Sequence, residues 1–217
     1  MRTRVKICCI SSEEELRIAV DAGADIVGLV GPMPSGPGVI DNETIRRLAR
    51  LAPPAVSSML LTSRTSSQKV INHWSTVLTN AIQLVDAIPI EAYKTIRDTL
   101  PWIQLVQVIH VQDASAIEQA LAIAPHVNAI LLDSGRPNQS VKELGGTGRT
   151  HNWDISREIR ERVNTPIFLA GGLNPDNVRA AIERVRPYGV DVCSGLRTDG
   201  KLDGEKVRAF IGVVSRW

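Results

Sequence analysis

The chain has little of what marks a specialised partner. Its 217 residues hold 25 Lys and Arg against 23 Asp and Glu, a formal net charge of +2. No run of basic residues and no aromatic–basic stripe stands out, so neither nucleic acid nor an anionic membrane surface is an expected partner. Long hydrophobic runs are missing too. The apolar stretches are strand-sized, well short of the ~20 residues a spanning helix needs. Met1-Arg2-Thr3-Arg4 is basic but leads straight into a strand-like run, with no apolar leader core or cleavage site, so the expected location is the cytoplasm. Cysteine is scarce: Cys8, Cys9 and Cys193 cannot all pair, and adjacent Cys8-Cys9 makes no unstrained bridge. With four His and no cluster at ligand spacing, no metal is expected, and no organic cofactor either. Gly-x-Gly-x-x-Gly does not follow the first apolar run, and Gly-x-x-x-x-Gly-Lys-Ser/Thr is absent, which removes the usual nucleotide cradles. No linker or low-complexity stretch divides the chain, and one domain over residues 1–217 is expected.

What is present is a rhythm. Short, continuous apolar runs stand at Arg4–Ile10, Ile26–Gly31, Val56–Thr62, Ala81–Asp86, Leu105–Val111, Ala129–Asp133, Ile167–Ala170 and Val190–Ser194. Continuous rather than alternating runs suit parallel strands buried on both faces. Amphipathic stretches lie between them. Ser12 with Glu13, Glu14 and Glu15 caps the first, which Gly23 closes; Asp41 and Asp113 open others, and Pro175 is placed at the start of a later one. Eight such units leave about 27 residues each, close to a βαβ repeat. A closed (β/α)₈ TIM barrel is the expected fold, with an open doubly wound sheet as the alternative.

In a barrel the chemistry sits at the carboxyl ends of the strands. The first run carries Cys8, which shares parity with Lys6. Both are expected to point inward, with the ammonium favouring the thiolate and making Cys8 a usable base. Cys9 is expected to face the helices as a small buried hydrophobe, and Cys193 likewise. Asp133 ends an apolar strand where an unpaired carboxylate is costly, which marks it as functional. Ala170-Gly171-Gly172 ends the seventh run and Cys193-Ser194-Gly195 the eighth, the two loops where barrels commonly hold phosphate. Gly171, Gly172, Ser194 and Gly195 are therefore candidate phosphate ligands, because bare backbone lets an oxyanion approach. Gly145-Gly146-Thr147-Gly148-Arg149-Thr150, after the sixth run, reads as part of a lid over 134–150, with Gly146 and Gly148 against the substrate.

These landmarks together resemble the phosphoribosylanthranilate isomerases of tryptophan biosynthesis over nearly the whole length. Lys6-Ile7-Cys8, Ala22-Gly23-Ala24-Asp25 with Gly28, Leu131-Leu132-Asp133-Ser134, the Gly145–Thr150 segment with Trp153-Asp154, Leu169–Pro175 with Asn177-Val178, and Val190–Gly195 follow the family's order. The resemblance implies a cofactor-independent aldose–ketose isomerase working by Amadori rearrangement on a small-molecule sugar phosphate. It makes Cys8 the general base and Asp133 the general acid, and leaves oligomeric state open.

The departures lie at the other end of the substrate. Cys9 replaces the glycine of the family's Lys-Ile-Cys-Gly, and Gly38 stands where an Arg meets the anthranilate carboxylate. Val85-Asp86 replaces His-Gly after Gln83-Leu84, and Arg197 replaces a Glu. Arg64, Arg136 and Arg197 are candidate replacements for the lost charge, and a Gly38→Arg reversion is expected to lower KM. Two alternatives stay open: an isomerase of a different phosphorylated aminoaldose, and a non-catalytic sugar-phosphate-binding protein. The histidine-pathway isomerase is disfavoured, because Asp rather than Cys8 is expected on its first strand.

Overall fold

The computed structural model describes residues 2–34, 36–135 and 150–215. In chain order the elements are β1 (Arg4–Ile7), α1 (Glu13–Ala22), β2 (Ile26–Val30), α2 (Asn42–Leu51), β3 (Ser57–Thr62), α3 (Ser67–Val77), β4 (Ala81–Leu84) and α4 (Ile90–Thr99). They continue with β5 (Gln104–His110), α5 (Ser115–Ile123), β6 (Ala129–Asp133), α6 (Trp153–Arg162), β7 (Ile167–Leu169), α7 (Val178–Val185), β8 (Gly189–Val192), the two-residue strands β9 (Arg197–Thr198) and β10 (Lys201–Leu202), and α8 (Gly204–Val214). Strands β1 to β8 pair in sequence order, all parallel, and β1 closes on β8 with Lys6 opposite Asp191 and Ile7 opposite Val192. The architecture is a (β/α)₈ barrel.

Local chemistry sets the boundaries. The Ser12 side chain accepts the Glu15 N–H at the start of α1, and Gly23, at φ +98, ends it in the left-handed turn a glycine adopts readily. Asp41 caps α2 by accepting from Thr44, and Asp113 accepts the Ser115 N–H at 2.8 Å before α5. Helix α7 departs from expectation: its cap is Asn177, and Pro175 lies in the turn ahead of it. Strand β1 is shorter than its apolar run, because Cys9 takes φ +65, outside the extended region.

The apolar residues segregate into two bodies. One fills the space between strands and helices, with Ile7, Leu29, Leu60, Ile82, Leu132, Val190 and Phe210 among its buried members. The other fills the barrel itself, with Met59, Val106, Leu131 and Phe168 below and Cys8, Cys9, Val30, Val85 and Ala170 towards the carboxyl ends. With the interior filled, the carboxyl-terminal mouth is where a barrel places its chemistry. No helix of the described residues is long and apolar enough to cross a membrane.

Candidate active site

Cys8 follows β1 directly, and its N–H still donates to the Val192 carbonyl at 2.8 Å, so the ladder holds it in place. Its side chain is buried at the floor of the mouth cavity, as parity predicts. Below it lies Lys6, wholly buried, with Nζ 2.8 Å from Asp191 Oδ1. Burial works against the Lys6 charge, but Asp191, and then Cys8, outweigh it and hold the ammonium above its ordinary pKa. Gly28 on β2 makes room for this stack: a Cβ there would sit 2.9 Å from Cys8 Sγ and 3.1 Å from Lys6 Nζ.

Asp133 ends β6 and lines the same cavity. It is 8% exposed, and its Oδ1 accepts the Ser134 N–H at 2.7 Å. Burial dominates and pushes its carboxyl upward; the Ser134 hydrogen bond and the charges of His110 and Lys6 pull the other way. A buried carboxyl that holds its proton is suited to act as an acid. The cavity thus joins a thiol to a carboxyl, with Lys6–Asp191 as a charged foundation beneath.

Asp191 escaped the sequence reading. The reasoning that singled out Asp133 applied to it equally, since Val190-Asp191-Val192 buries a carboxylate in a strand. Gln83 is a second omission: it is 3% exposed, lines the cavity, and its Oε1 has no hydrogen-bond partner. A third is His151, whose Nε2 is 2.7 Å from Ser156 Oγ and whose pKa burial lowers to about 4, so that a neutral ring packs beside Gly171.

The glycine loops meet at the rim. Gly171 and Gly172 take φ +84 and +63 and line the cavity together with Ser194. The Gly172 carbonyl accepts from Asn177 Nδ2 at 2.9 Å, and Asn177 Oδ1 accepts the Asn174 N–H at 2.9 Å, so the loop is tied to the start of α7. Gly195 also has a packing role. A Cβ there would lie 2.0 Å from the Leu173 carbonyl oxygen, so this glycine lets the strand-eight loop pack onto the strand-seven loop. Gly146, Gly148 and Arg136, with most of the expected lid, lie outside the described residues.

The rebuilt end requires corrections. Cys9 does not face the helices: its left-handed backbone turns the side chain into the barrel, where it lines the cavity and packs in one cluster with Cys8 and Cys193. Strand parity fails there because the strand has ended. Cys193, half-buried, also lines the cavity. Arg197 is not free for a carboxylate. Its Nη1 and Nη2 lie 2.7 and 3.2 Å from the two Glu15 oxygens, Nη2 also donates to the Cys9 carbonyl at 2.5 Å, and Nη1 to that of Gly200 at 2.8 Å. Arg64 is exposed beyond β3 and is not among the residues lining the cavity. Gly38 sits at φ +73 directly over Cys9, where a Cβ would come within 2.5 Å of Cys9 Cβ. A lone Gly38→Arg change therefore collides with Cys9 instead of restoring a contact.

A parallel barrel with a carboxyl and a thiol converging at the strand ends is an isomerase type of site. The model of the family described as N-(5'phosphoribosyl)anthranilate (PRA) isomerase matches residues 5–213, and the chain belongs to that family. An N-(5'-phosphoribosyl)anthranilate isomerase of Haloferax volcanii is 39% identical over 211 residues, covering 96% of this chain and 91% of the relative. One from Methanocella arvoryzae is 36% identical over 96% of both chains. Among solved structures, the phosphoribosyl anthranilate isomerase of Thermotoga maritima superposes with a TM-score of 0.85 at 34% identity, over 99% of this chain and all of that one. A second such structure, solved with reduced 1-(o-carboxyphenylamino)-1-deoxyribulose 5-phosphate, gives 0.82 at 32% identity, with the same coverage.

Proposed function

We propose that the chain isomerises N-(5'-phosphoribosyl)anthranilate to 1-(o-carboxyphenylamino)-1-deoxyribulose 5-phosphate, a step of tryptophan biosynthesis. The observation that carries this reading is the convergence of Cys8 and Asp133 on one cavity above the Lys6–Asp191 pair. Asp133 donates its proton to the ribose ring oxygen, the C1′–O bond breaks, and an open-chain Schiff base forms. The Cys8 thiolate removes the C2′ proton, and the resulting enolamine tautomerises to the 1-deoxyribulose. Lys6 keeps a positive charge beneath the thiol throughout. The loops carrying Gly171, Gly172 and Ser194 hold the 5′-phosphate, so that binding energy far from the reacting carbons orients them. Every step is a proton transfer by the chain's own residues, so no cofactor enters. In this reading the protein is a one-domain cytoplasmic enzyme acting on a small molecule.

A second reading rests on the aryl end. No Arg, Lys or His is among the described residues lining the cavity, and Gly38 occupies the family's Arg position. A phosphorylated aminoaldose without an aryl carboxylate suits such a surface. The experiment that separates the two is steady-state kinetics on synthetic phosphoribosylanthranilate, with complementation of a tryptophan auxotroph lacking the isomerase. Turnover with growth is expected. Absence of both moves the assignment to the second reading.

A further inference from the structure

All three cysteines of the chain line the one mouth cavity, and all are free thiols. The proton-transfer mechanism uses only Cys8. Cys9 is placed beside it by a costly backbone choice, since a non-glycine residue at φ +65 is strained. The register of β1 on β8 sets position 8 level with position 193, one step beyond the Ile7–Val192 pair. Cys8 and Cys9 belong to one buried cluster inside the barrel, and Cys193 packs against that cluster at the same cavity. Cys193 is the least buried of the three and meets solutes first, while Cys8 and Cys9 are buried. The Arg197 guanidinium, fixed by Glu15, holds the Cys9 carbonyl and brings its positive charge beside Cys193.

We propose that Cys9 and Cys193 form an oxidant-sensitive dithiol that small hydroperoxides convert to a disulfide, switching off the adjacent Cys8 site. The inference rests on the proposed isomerase reading for its activity readout. The Cys193 thiolate attacks the terminal oxygen of ROOH, the O–O bond breaks, and ROH leaves with a proton, producing a sulfenic acid. Cys9 sulfur then attacks the Cys193 sulfur, the S–O bond breaks, and the hydroxide leaves as water with the Cys9 proton. Two thiols lose two electrons to one peroxide, and a dithiol reductant reverses the change by exchange. The division of labour agrees with the electrostatics: the hydrogen bond from Cys9 lowers the Cys193 pKa, burial resists, and Arg197 adds to the lowering. The same hydrogen bonds and burial keep Cys9 protonated until a sulfenic acid presents itself. Once bridged, the loop bearing Ser194 is tied to the loop after β1, beside Cys8. Phosphate-side and thiol-side elements of the mouth are thus locked together.

The test treats the purified full chain with hydrogen peroxide or tert-butyl hydroperoxide, then measures free thiols, turnover and the bridged peptides by fragmentation mass spectrometry. The expected result is a fall from three free thiols to one, at least tenfold lower turnover, and recovery of both with dithiothreitol. Cys9→Ser and Cys193→Ser, each compared with its own reduced form, are expected to lose thiols without gaining an intramolecular bridge. Cys8→Ala, measured by thiol count alone, is expected to bridge as the native chain does. An unchanged thiol count, a bridge that needs Cys8, or bridging with full turnover overturns the proposal. The thiol count needs no substrate. Bridging in a chain that never turns over phosphoribosylanthranilate therefore faults the isomerase reading, and no bridging in an active one faults the dithiol.

Discussion

At the β6–β7 rim of the mouth, Asp133, Gly171, Gly172 and the Asn174–Asn177 turn occupy the positions the family pattern gives them, with short local hydrogen bonds at Asp133, Gly172 and the Asn174–Asn177 turn. At the β8–β1–β2 rim, three departures from that pattern touch one another. Cys9 stands where the family has glycine, Gly38 lies over its Cβ where the family has Arg, and Arg197, in place of Glu, grips its carbonyl at 2.5 Å. In the proposed reading the first rim supplies a proton donor and a phosphate cradle, roles that leave little freedom of residue type. The second shows how a binding end is rebuilt. A side chain added at Cys9 requires its removal at Gly38, and the turn so created is fixed by a new cation. Gly38 taken alone reads as a lost contact, whereas its contact with Cys9 makes a coupled exchange the expectation to test.

The comparison breaks first if the conserved rim is not where the chemistry lies. Asp133→Asn and Cys8→Ala are each expected to lower kcat by ~10²–10⁴, the usual contribution of a positioned acid or base. Their effects on stability should be small and of known sign for Asp133. Burial raises its folded-state pKa, so its contribution to stability is present below the ordinary carboxylate range and is lost as pH rises through the raised value. Asn escapes that loss, and Asp133→Asn should unfold at no lower denaturant concentration than the native chain above pH 7. Turnover of the native enzyme should decline as pH rises through the same titration. Urea unfolding together with kcat against pH checks both, and a variant that loses activity only by unfolding would remove Asp133 from the acid's role.

The rebuilt rim is sharpened by removing its cation. Glu15 and Arg197 are 10% and 13% exposed at their side chains, so Arg197→Met leaves a largely buried carboxylate. Breaking such a pair commonly costs ~3–5 kcal/mol. Glu15 keeps the Ser11 and Leu202 N–H groups at 2.9 and 3.1 Å, which places the expected loss near ~3 kcal/mol. Burial opposes the Glu15 charge, but Arg197 and the backbone donors win and lower its pKa. The contribution is therefore full above the ordinary carboxylate range and disappears as pH falls through the lowered value. The gap between native and variant unfolding midpoints should narrow in acid. A gap that is constant with pH would mean that Arg197 acts by packing its stem alone.

Much of this was legible in the residues. Eight short apolar runs separated by capped amphipathic stretches favour a parallel barrel over an open doubly wound sheet, and Asp133 betrays itself as a carboxylate at the end of such a run. Cys8 follows from counting alternate positions along β1. The same count fails one residue later, because alternation is a property of extended backbone and Cys9 at φ +65 has left it. Arg197 misleads for a related reason. A cation near the lost Arg is an obvious substitute, but its partner Glu15 is 182 residues away in sequence, and only the folded chain brings them together. Asp191 could have been found by the argument used for Asp133. Gln83 could not, since an amide in a strand says nothing of whether its oxygen finds a donor.

The smallest effect is also the most discriminating. Gly38→Arg alone adds a Cβ at φ +73, 2.5 Å from Cys9 Cβ and 3.0 Å from its Cα, so the loop or Cys9 must move. Left-handed backbone for a non-glycine residue costs roughly 1–2 kcal/mol, and the overlap adds to it. Cys9→Gly removes one of the two colliding atoms and relaxes a backbone that glycine tolerates at +65. The double variant Cys9→Gly, Gly38→Arg should therefore be more stable than the sum of the single changes by about 1–2 kcal/mol, a coupling typical of residues in contact. If the family's aryl contact returns with it, KM for phosphoribosylanthranilate should fall in the double variant and not in Gly38→Arg alone. Stability changes that simply add would show that Cys9 and Gly38 were altered independently, and the rebuilt rim would then be a set of unrelated substitutions instead of one exchange.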